Sequence, residues 1–235
     1  MPLHDAFDTP ETKRRYVRQL FSTIADRYDL ITAVLSYGQD ARWKRTLIEM
    51  ARLQPRERAL DLACGTGDIA FASAAKGARV VGLDITHRML QLAAQKSSAA
   101  QFIAGDMTSL PFGPGTFDVV TTGYGLRNVP DLNLAIDEIA RVLRPGGRLL
   151  SLDFNRPQPA LVRGVYLSYL TVVGATLGWI LHRDPDTYRY IPASIRRYPG
   201  AHGVAALLAA RGFTSVRVVP LLFGLMTLHL AERPR

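Results

Sequence analysis

Residues 59–70 read Ala59-Leu-Asp61-Leu-Ala-Cys64-Gly65-Thr66-Gly67-Asp-Ile-Ala70. A short apolar run, 59–63, ends in a glycine turn, and helix-forming residues follow over 68–75. Glycines at such a turn let backbone approach a ligand closely, and the helix start offers free N–H groups. The same alternation continues outward. Strands are predicted over 79–83, 101–104, 117–122 and 148–154, with helices over 88–96 and 132–143 between them. Strands alternating with helices imply a parallel sheet covered on both faces. Toward the end, a helix is predicted over 204–210. Runs 215–219 and 225–231 then form a closing hairpin around Phe223-Gly224.

Ahead of the glycine turn the pattern is helical. Tyr16, Val17, Leu20, Phe21, Ile24, Ala25 and Tyr28 recur at three- and four-residue steps and mark one helix face. A second helix is predicted over 43–51, with Trp43, Leu47 and Ile48 inward. The expected fold is α/β: a doubly wound, seven-stranded, mostly parallel sheet with a C-terminal antiparallel hairpin. N-terminal and inserted lid helices complete it. One domain is expected, divided into a helical cap (1–52), a cofactor-binding core (53–155), a substrate lid (156–200) and a closing helix and hairpin (201–235).

In open sheets of this kind ligands bind at the carboxyl ends of the strands, and three strand ends carry acids. The glycine turn alone fits a dinucleotide fingerprint as well as S-adenosylmethionine, since Asp84 stands near the place of the ribose acid. Asp61 decides between them: a carboxylate just ahead of the turn repels a pyrophosphate but suits an amino group and a sulfonium. Asp84 is placed to take ribose hydroxyls, or alternatively to cap the next helix, for which Thr86 is also available. Asp106 is placed to accept from an adenine amino group while Met107 packs on the ring. Its alternative is an ordinary turn acid.

With these acids and the turn Arg141-Val-Leu-Arg-Pro145-Gly146-Gly147-Arg148, the chain resembles the class I S-adenosylmethionine-dependent methyltransferases. Three further stretches give a narrower resemblance, to the ubiquinone/menaquinone biosynthesis C-methyltransferases. The first joins Phe21-Ser-Thr-Ile-Ala25-Asp-Arg-Tyr28-Asp29, Leu35-Ser-Tyr-Gly38 and Trp43-Lys44. The second is Phe117-Asp-Val-Val-Thr121-Thr-Gly123-Tyr124-Gly125-Leu-Arg127-Asn128. The third is Tyr188-Arg-Tyr190-Ile-Pro192-Ala-Ser194-Ile195. Thr32, Asp40 and Ala193 depart from the family's usual Asn, His and Glu.

The resemblance implies methylation of a ring carbon of a polyprenylated quinol, with demethylmenaquinol preferred over a benzoquinol. Another phenol or lipid as substrate, and a non-catalytic cofactor-binding subunit, are the alternatives. The resemblance places the cofactor at Asp61, Gly65, Thr66, Gly67, Asp84, Ile85, Met89, Asp106, Met107 and Gly123. Carbon is a poor nucleophile until a neighbouring hydroxyl loses its proton. Arg127, always charged, is assigned to stabilise the phenolate, with water as proton acceptor and Asn128 orienting it. The alternative for this pair is a loop anchored by hydrogen bonds. Tyr28, Tyr124, Tyr188 and Tyr190 are candidate substrate contacts, with packing as the alternative.

Composition narrows the partners. The chain has 235 residues, 48% hydrophobic and 21% charged, with a net charge of +9, so it holds a core and favours an anionic partner. The bases are scattered, all but four of the 29 being arginines, and form no nucleic-acid patch. One cysteine excludes an internal disulfide. The five histidines show no metal-ligand spacing, and no metal is expected. His229 reads as a strand histidine and Cys64 as a packing residue. The uncharged run 165–181 is at the lower edge of a membrane span. It is read as a lid helix with a greasy substrate face, able to dip into the membrane surface beside Arg156, Arg163 and Arg183, against a span or an ordinary core helix. The start of the chain shows no signal peptide. A cytoplasmic protein on the inner membrane face is expected, with a homodimer as a candidate assembly.

Overall fold

The computed structural model describes residues 3–235. Helix α1, Pro10–Ile24, opens on a capping box in which the Thr9 and Thr12 side chains each accept the other's backbone N–H. Its buried face is Tyr16, Val17, Leu20 and Ile24. The helix expected to continue to Tyr28 instead stops here. A single 3-10 turn, Ala25–Arg27, re-aims the chain before α2, Tyr28–Leu35. The tighter turn points Tyr28 at the glycine turn, where its ring edge lies 3.7 Å from the place of a Cβ on Gly65. Helix α3, Asp40–Ala51, buries Trp43, Leu47 and Ile48.

The core alternates as expected: β1 Arg58–Leu62, α4 Asp68–Ala74, β2 Arg79–Asp84, α5 His87–Lys96, β3 Gln101–Ala104, β4 Phe117–Gly123, α6 Leu132–Val142 and β5 Leu143–Phe154. Strand β5 starts five residues before the expected Arg148. Its first residue pairs with Phe117, and Arg144–Gly147 then loops out as a bulge before Arg148 pairs with Val119. Helix α7, Ala160–His182, is longer than the apolar run that announced it. Then come α8 Asp186–Arg197, α9 Gly200–Ala210, β6 Thr214–Leu221 and β7 Met226–Glu232.

The seven strands run in the order β3-β2-β1-β4-β5-β7-β6. The first five are parallel, and β7 is antiparallel to both its neighbours. Strand order reverses between β1 and β4, which opens the ligand crevice there. Alternate residues face opposite sides of the sheet. Leu60, Leu62, Val120 and Leu149 pack with Ile136 and Ile139 of α6 and Val204 and Leu208 of α9. Ala59, Val119, Leu150 and Leu152 pack with Leu47 and Ile48 of α3 and Ile69 of α4. Each such side chain contributes about 1.5–3 kcal/mol by leaving water. A separate cluster joins the ends of the chain: Tyr16, Val17, Leu20, Ile24 and Ile31 pack against Tyr188 and Tyr190 of α8. That cluster brings α1, α2, α7 and α8 together above the strand ends.

Candidate active site

Two cavities meet above the carboxyl ends of the strands. One lies against the glycine turn and takes Asp84, Ile85, Met89, Asp106, Met107 and Gly123 into its wall. The other is walled by α1, α2, α7, α8 and the β6–β7 hairpin. Phe21, Tyr28 and Tyr124 line both.

Asp84 is buried at the end of β2. Its Oδ2 accepts the Gly65 N–H at 2.9 Å and its Oδ1 the Thr86 N–H at 2.8 Å. The carboxylate therefore clamps the glycine turn to the next helix while facing the cavity. Burial pushes its pKa up, against the pull of those N–H groups. Asp106 is a turn acid at the wall of the cavity. Its Oδ1 accepts from the Thr108 N–H (2.8 Å) and hydroxyl (2.7 Å) in a local turn, and its Oδ2 pairs with Arg14 Nε at 2.6 Å. Burial pushes Asp106 up, but Thr108 and Arg14 outweigh it and hold the carboxyl below its ordinary value. Arg14 brings α1 over the cavity, a contact the sequence reading missed.

Asp61 lies deeper. It lines a small cleft with Lys44, Gly65, Thr66 and Gly123. Its Oδ1 accepts from the Thr121 hydroxyl at 2.8 Å, while Oδ2 is buried without a partner. Burial pushes its pKa up to about 7. A buried carboxylate oxygen left unpaired is costly, and an ammonium group in the cleft would satisfy it. Thr66 also lines this cleft, its hydroxyl donating to Asp29 Oδ1 at 2.7 Å.

Two expected site residues are placed differently. Gly67 lines neither cavity nor the cleft. It caps α4 at φ +92°, and a Cβ there would lie 2.7 Å from the Phe71 ring. That conformation and space require glycine. Asn128 lines the glycine-turn cavity and not the apolar one. Its Nδ2 donates to the Tyr124 carbonyl at 2.7 Å, and its Oδ1 is buried without a partner.

Arg127 is buried at the edge of the apolar cavity. Its backbone N–H donates to Asp153 Oδ2 at 3.0 Å, and its Nε lies 3.3 Å from Asp153 Oδ1. Nη1 donates to the Ser194 hydroxyl, and the guanidinium lies 5.1 Å from the centre of the Phe154 ring. The residue thus joins the end of β4, β5 and α8. Asp153 is also wholly buried, and burial pushes its carboxyl up against the pull of Arg127, so each group depends on the other.

The four tyrosines all reach the apolar cavity. Tyr188 shares a hydrogen bond with His182 at 2.9 Å. Tyr190 stacks on Tyr16 (5.4 Å) and Phe7 (5.7 Å), and its hydroxyl is buried without a partner. The Tyr124 hydroxyl donates to Asp40 Oδ1 at 2.6 Å, and Lys44 Nζ lies 2.6 Å from Asp40 Oδ2. Neither Asp40 nor Lys44 was assigned from the sequence. Their spacing of four on a helix ahead of the strand was the available signal. His229 is a satisfied strand histidine, held by Ser151 at 3.3 Å and the Ala201 carbonyl at 2.9 Å. Cys64 is buried, and burial pushes its thiol well up, away from a nucleophile.

Helix α7 is the one helix, among the described residues, long and apolar enough by composition to cross a membrane. One side packs on α8, where Gly174 and Gly178 allow backbone contact with Tyr188 and Asp184. Tyr166, Tyr169 and Leu170 line the apolar cavity. Only 22% of its most apolar window is buried, so it is not an ordinary core helix.

Solved structures share this fold, and known proteins are similar in sequence over most of the chain. A Thermotoga maritima S-adenosylmethionine-dependent methyltransferase superposes with a TM-score of 0.69 at 16% identity, covering 92% of this chain and 99% of that one. This likeness shows the fold. A Thermus thermophilus protein named demethylmenaquinone methyltransferase is 41% identical over 92% of this chain and all of its own length. A Rubrivivax gelatinosus protein named ubiquinone/menaquinone biosynthesis C-methyltransferase is 36% identical over 98% of this chain and 91% of its own. The family model matches residues 9–233, and the chain belongs to the ubiE/COQ5 methyltransferase family.

Proposed function

We propose that the protein methylates a ring carbon of a polyprenylated quinol, demethylmenaquinol before a benzoquinol, with S-adenosylmethionine as methyl donor. The observation that carries this reading is the pair of cavities sharing Phe21, Tyr28 and Tyr124, one built on strand-end acids and the other almost wholly apolar. The relatives named for demethylmenaquinone support the naphthoquinol.

The residues fit the donor. Asp61 Oδ2 lacks a cationic partner that an amino group would supply, and Asp84 and Met107 wall the space for a nucleoside. When bound, the donor supplies an electrophilic methyl on a sulfonium. The protein's part is to orient the ring and to make its carbon nucleophilic. Tyr28 and Tyr124, lining both cavities, hold the ring at their junction. Arg127 offers positive charge to the developing phenolate at the apolar wall. The long tail extends between α2, α7 and the hairpin.

That side of the molecule is also read as the membrane face. Val165, Val172, Trp179 and Ile180 of α7 are 61–67% exposed, and Phe223 at the hairpin tip is fully exposed. Leu30, Val34 and Tyr37 extend the apolar rim from α2, and Tyr37 stacks on Tyr169 at the cavity wall. A lipid substrate enters without crossing water if this rim lies on a bilayer. Arg156, Arg163 and Arg183 flank it and suit anionic headgroups.

The test offers labelled S-adenosylmethionine with demethylmenaquinol and with a demethylated benzoquinol. Label is expected on the naphthoquinol ring. Label on neither ring, with donor binding intact, overturns the reading.

A further inference from the structure

Tyr124 faces both cavities and the cleft beneath Asp61. Its backbone takes φ +63° directly after β4. A non-glycine residue in this region is strained and persists where its surroundings over-determine it. Here its N–H donates to the Leu152 carbonyl at 2.7 Å, its carbonyl accepts from Asn128, and its ring rests 5.7 Å from that of Phe154. The result is a phenol aimed across the cavity junction at Asp40.

Asp40, the first residue of α3, is held on both oxygens. Tyr124 donates to Oδ1 at 2.6 Å, and Lys44 Nζ lies 2.6 Å from Oδ2. Lys44 also reaches Asp68 Oδ2 at 2.9 Å. Asp40 lines a different cleft, with Asp29, Thr32 and Gly38, in whose wall Tyr124 has no part. The chain thus runs from the cavity junction, through one phenol, to a fixed carboxylate with its own outlet.

We propose that Tyr124 and Asp40 form the proton relay that activates the quinol, with Tyr124 touching the ring hydroxyl and Asp40, acting through it, receiving the proton. This rests on the quinol reading above. The quinol oxygen passes its proton to Tyr124 as Tyr124 passes its own to Asp40. The freed electron pair on oxygen moves through the ring to the carbon, which bonds the methyl as the sulfur–methyl bond breaks and sulfur keeps its pair. The ring carbon then loses its hydrogen as a proton, which goes to the oxygen and restores the aromatic quinol. Asp40 sheds its proton through its own cleft, so one proton is released per turnover. Relay suits this phenol better than storage, because burial and then Asp40 push Tyr124 well above its ordinary pKa. Tyrosinate does not accumulate, and the two transfers occur together. The groups facing Asp40 are Lys44 on its own helix, Tyr28 from α2, Tyr124 from the end of β4 and, through Lys44, Asp68 of α4. Asp40 is a positioning residue in this scheme, and Arg127 keeps its role beside the phenolate.

The test compares wild type, Asp40→Asn, Asp40→His and Tyr124→Phe in kcat and KM, on naphthoquinols of differing hydroxyl acidity. Donor affinity by calorimetry and Tm are measured alongside. Asp40→Asn is expected to lower kcat about 100-fold or more, the usual scale for acid–base groups. KM and donor affinity should move less than about threefold, the split that separates a transition-state loss from binding. Asp40→His restores a proton acceptor and should recover much of the kcat that Asn loses, a rescue that a packing role does not give. The Asn deficit should shrink on naphthoquinols with more acidic hydroxyls, a trend that packing alone does not produce. If Asp40→Asn fails to fold, Tyr124→Phe carries the same expectations for kcat and for that trend. Wild-type kcat in these variants, or a deficit indifferent to hydroxyl acidity, overturns the relay alone. Wild type that labels neither ring overturns the quinol reading and the relay with it.

Discussion

The two cavities are built by different means. The glycine-turn cavity is made by consecutive strand ends, and its acids Asp84 and Asp106 each accept from a backbone N–H two residues on, Asp84 also from the Gly65 N–H of the adjacent turn and Asp106 also from Arg14 of α1. The apolar cavity draws on residues from Leu20 to Met226, carried by helices that meet only because α1 and α2 pack on α8. The first depends mostly on strand-end and turn geometry, with one long-range contact from α1. The second depends on docking of distant elements, and its polar groups are matched pairs whose members depend on each other.

The largest effect should fall on such a pair. Arg127→Ala leaves Asp153 buried without its counter-charge, held only by the backbone N–H groups of residues 127 and 154, and should lower stability by about 3–5 kcal/mol. Replacing both residues with apolar ones of similar size should recover most of it. Urea unfolding checks this, and turnover that stays low in the stable double variant would mark Arg127 as acting on the substrate. If Arg127→Ala unfolds no earlier than wild type, the pair is not what holds the two sides together.

On the cofactor side, Asp61→Asn keeps the Thr121 hydrogen bond and removes the charge. Donor affinity should fall about 100-fold, the scale of a lost charge-assisted bond. Binding of an apolar quinol analogue should not change. Equal loss of both ligands would break the division between the cavities.

The pH dependence sharpens the same point. Asp61 titrates near 7 when the site lacks a cation, far above its unfolded value. Its contribution to folding is therefore fully present below the unfolded pKa near 4 and is lost as pH rises through about 7. Donor binding needs the ionised form, so affinity should rise about tenfold between pH 6 and 8, with proton release measurable by calorimetry in two buffers. In Asp61→Asn both dependences should flatten. An unchanged pH response would assign it to Asp84, whose carboxyl is also raised.

The smallest effect belongs to the rim. Phe223→Ser should weaken flotation with anionic vesicles by about tenfold, from loss of one large apolar contact, without changing Tm. Moderate salt should release the wild type as well. Flotation that ignores both would remove the bilayer from the account of the apolar cavity.

Much of the glycine-turn side was legible in the chain alone. Short apolar runs alternating with helical patterns placed all seven strands; Asp84 ends β2, while Asp61 lies one residue before the end of β1 and Asp106 two beyond the end of β3. These are short-range facts, decided by backbone sterics and side-chain period. The break at Ala25–Arg27, the early start of β5 and the packing role of Gly67 were not legible. Each is settled by what lies opposite: the glycine turn, Phe117 and Phe71. The pairing of Tyr124 with Asp40 joins residues 84 apart, and that of Arg127 with Asp153 joins residues 26 apart. Neither spacing carries a periodic signal. Such contacts exist only once the helices have docked on the sheet, because a hydrogen bond between distant residues is specified by the whole packing rather than by either neighbourhood.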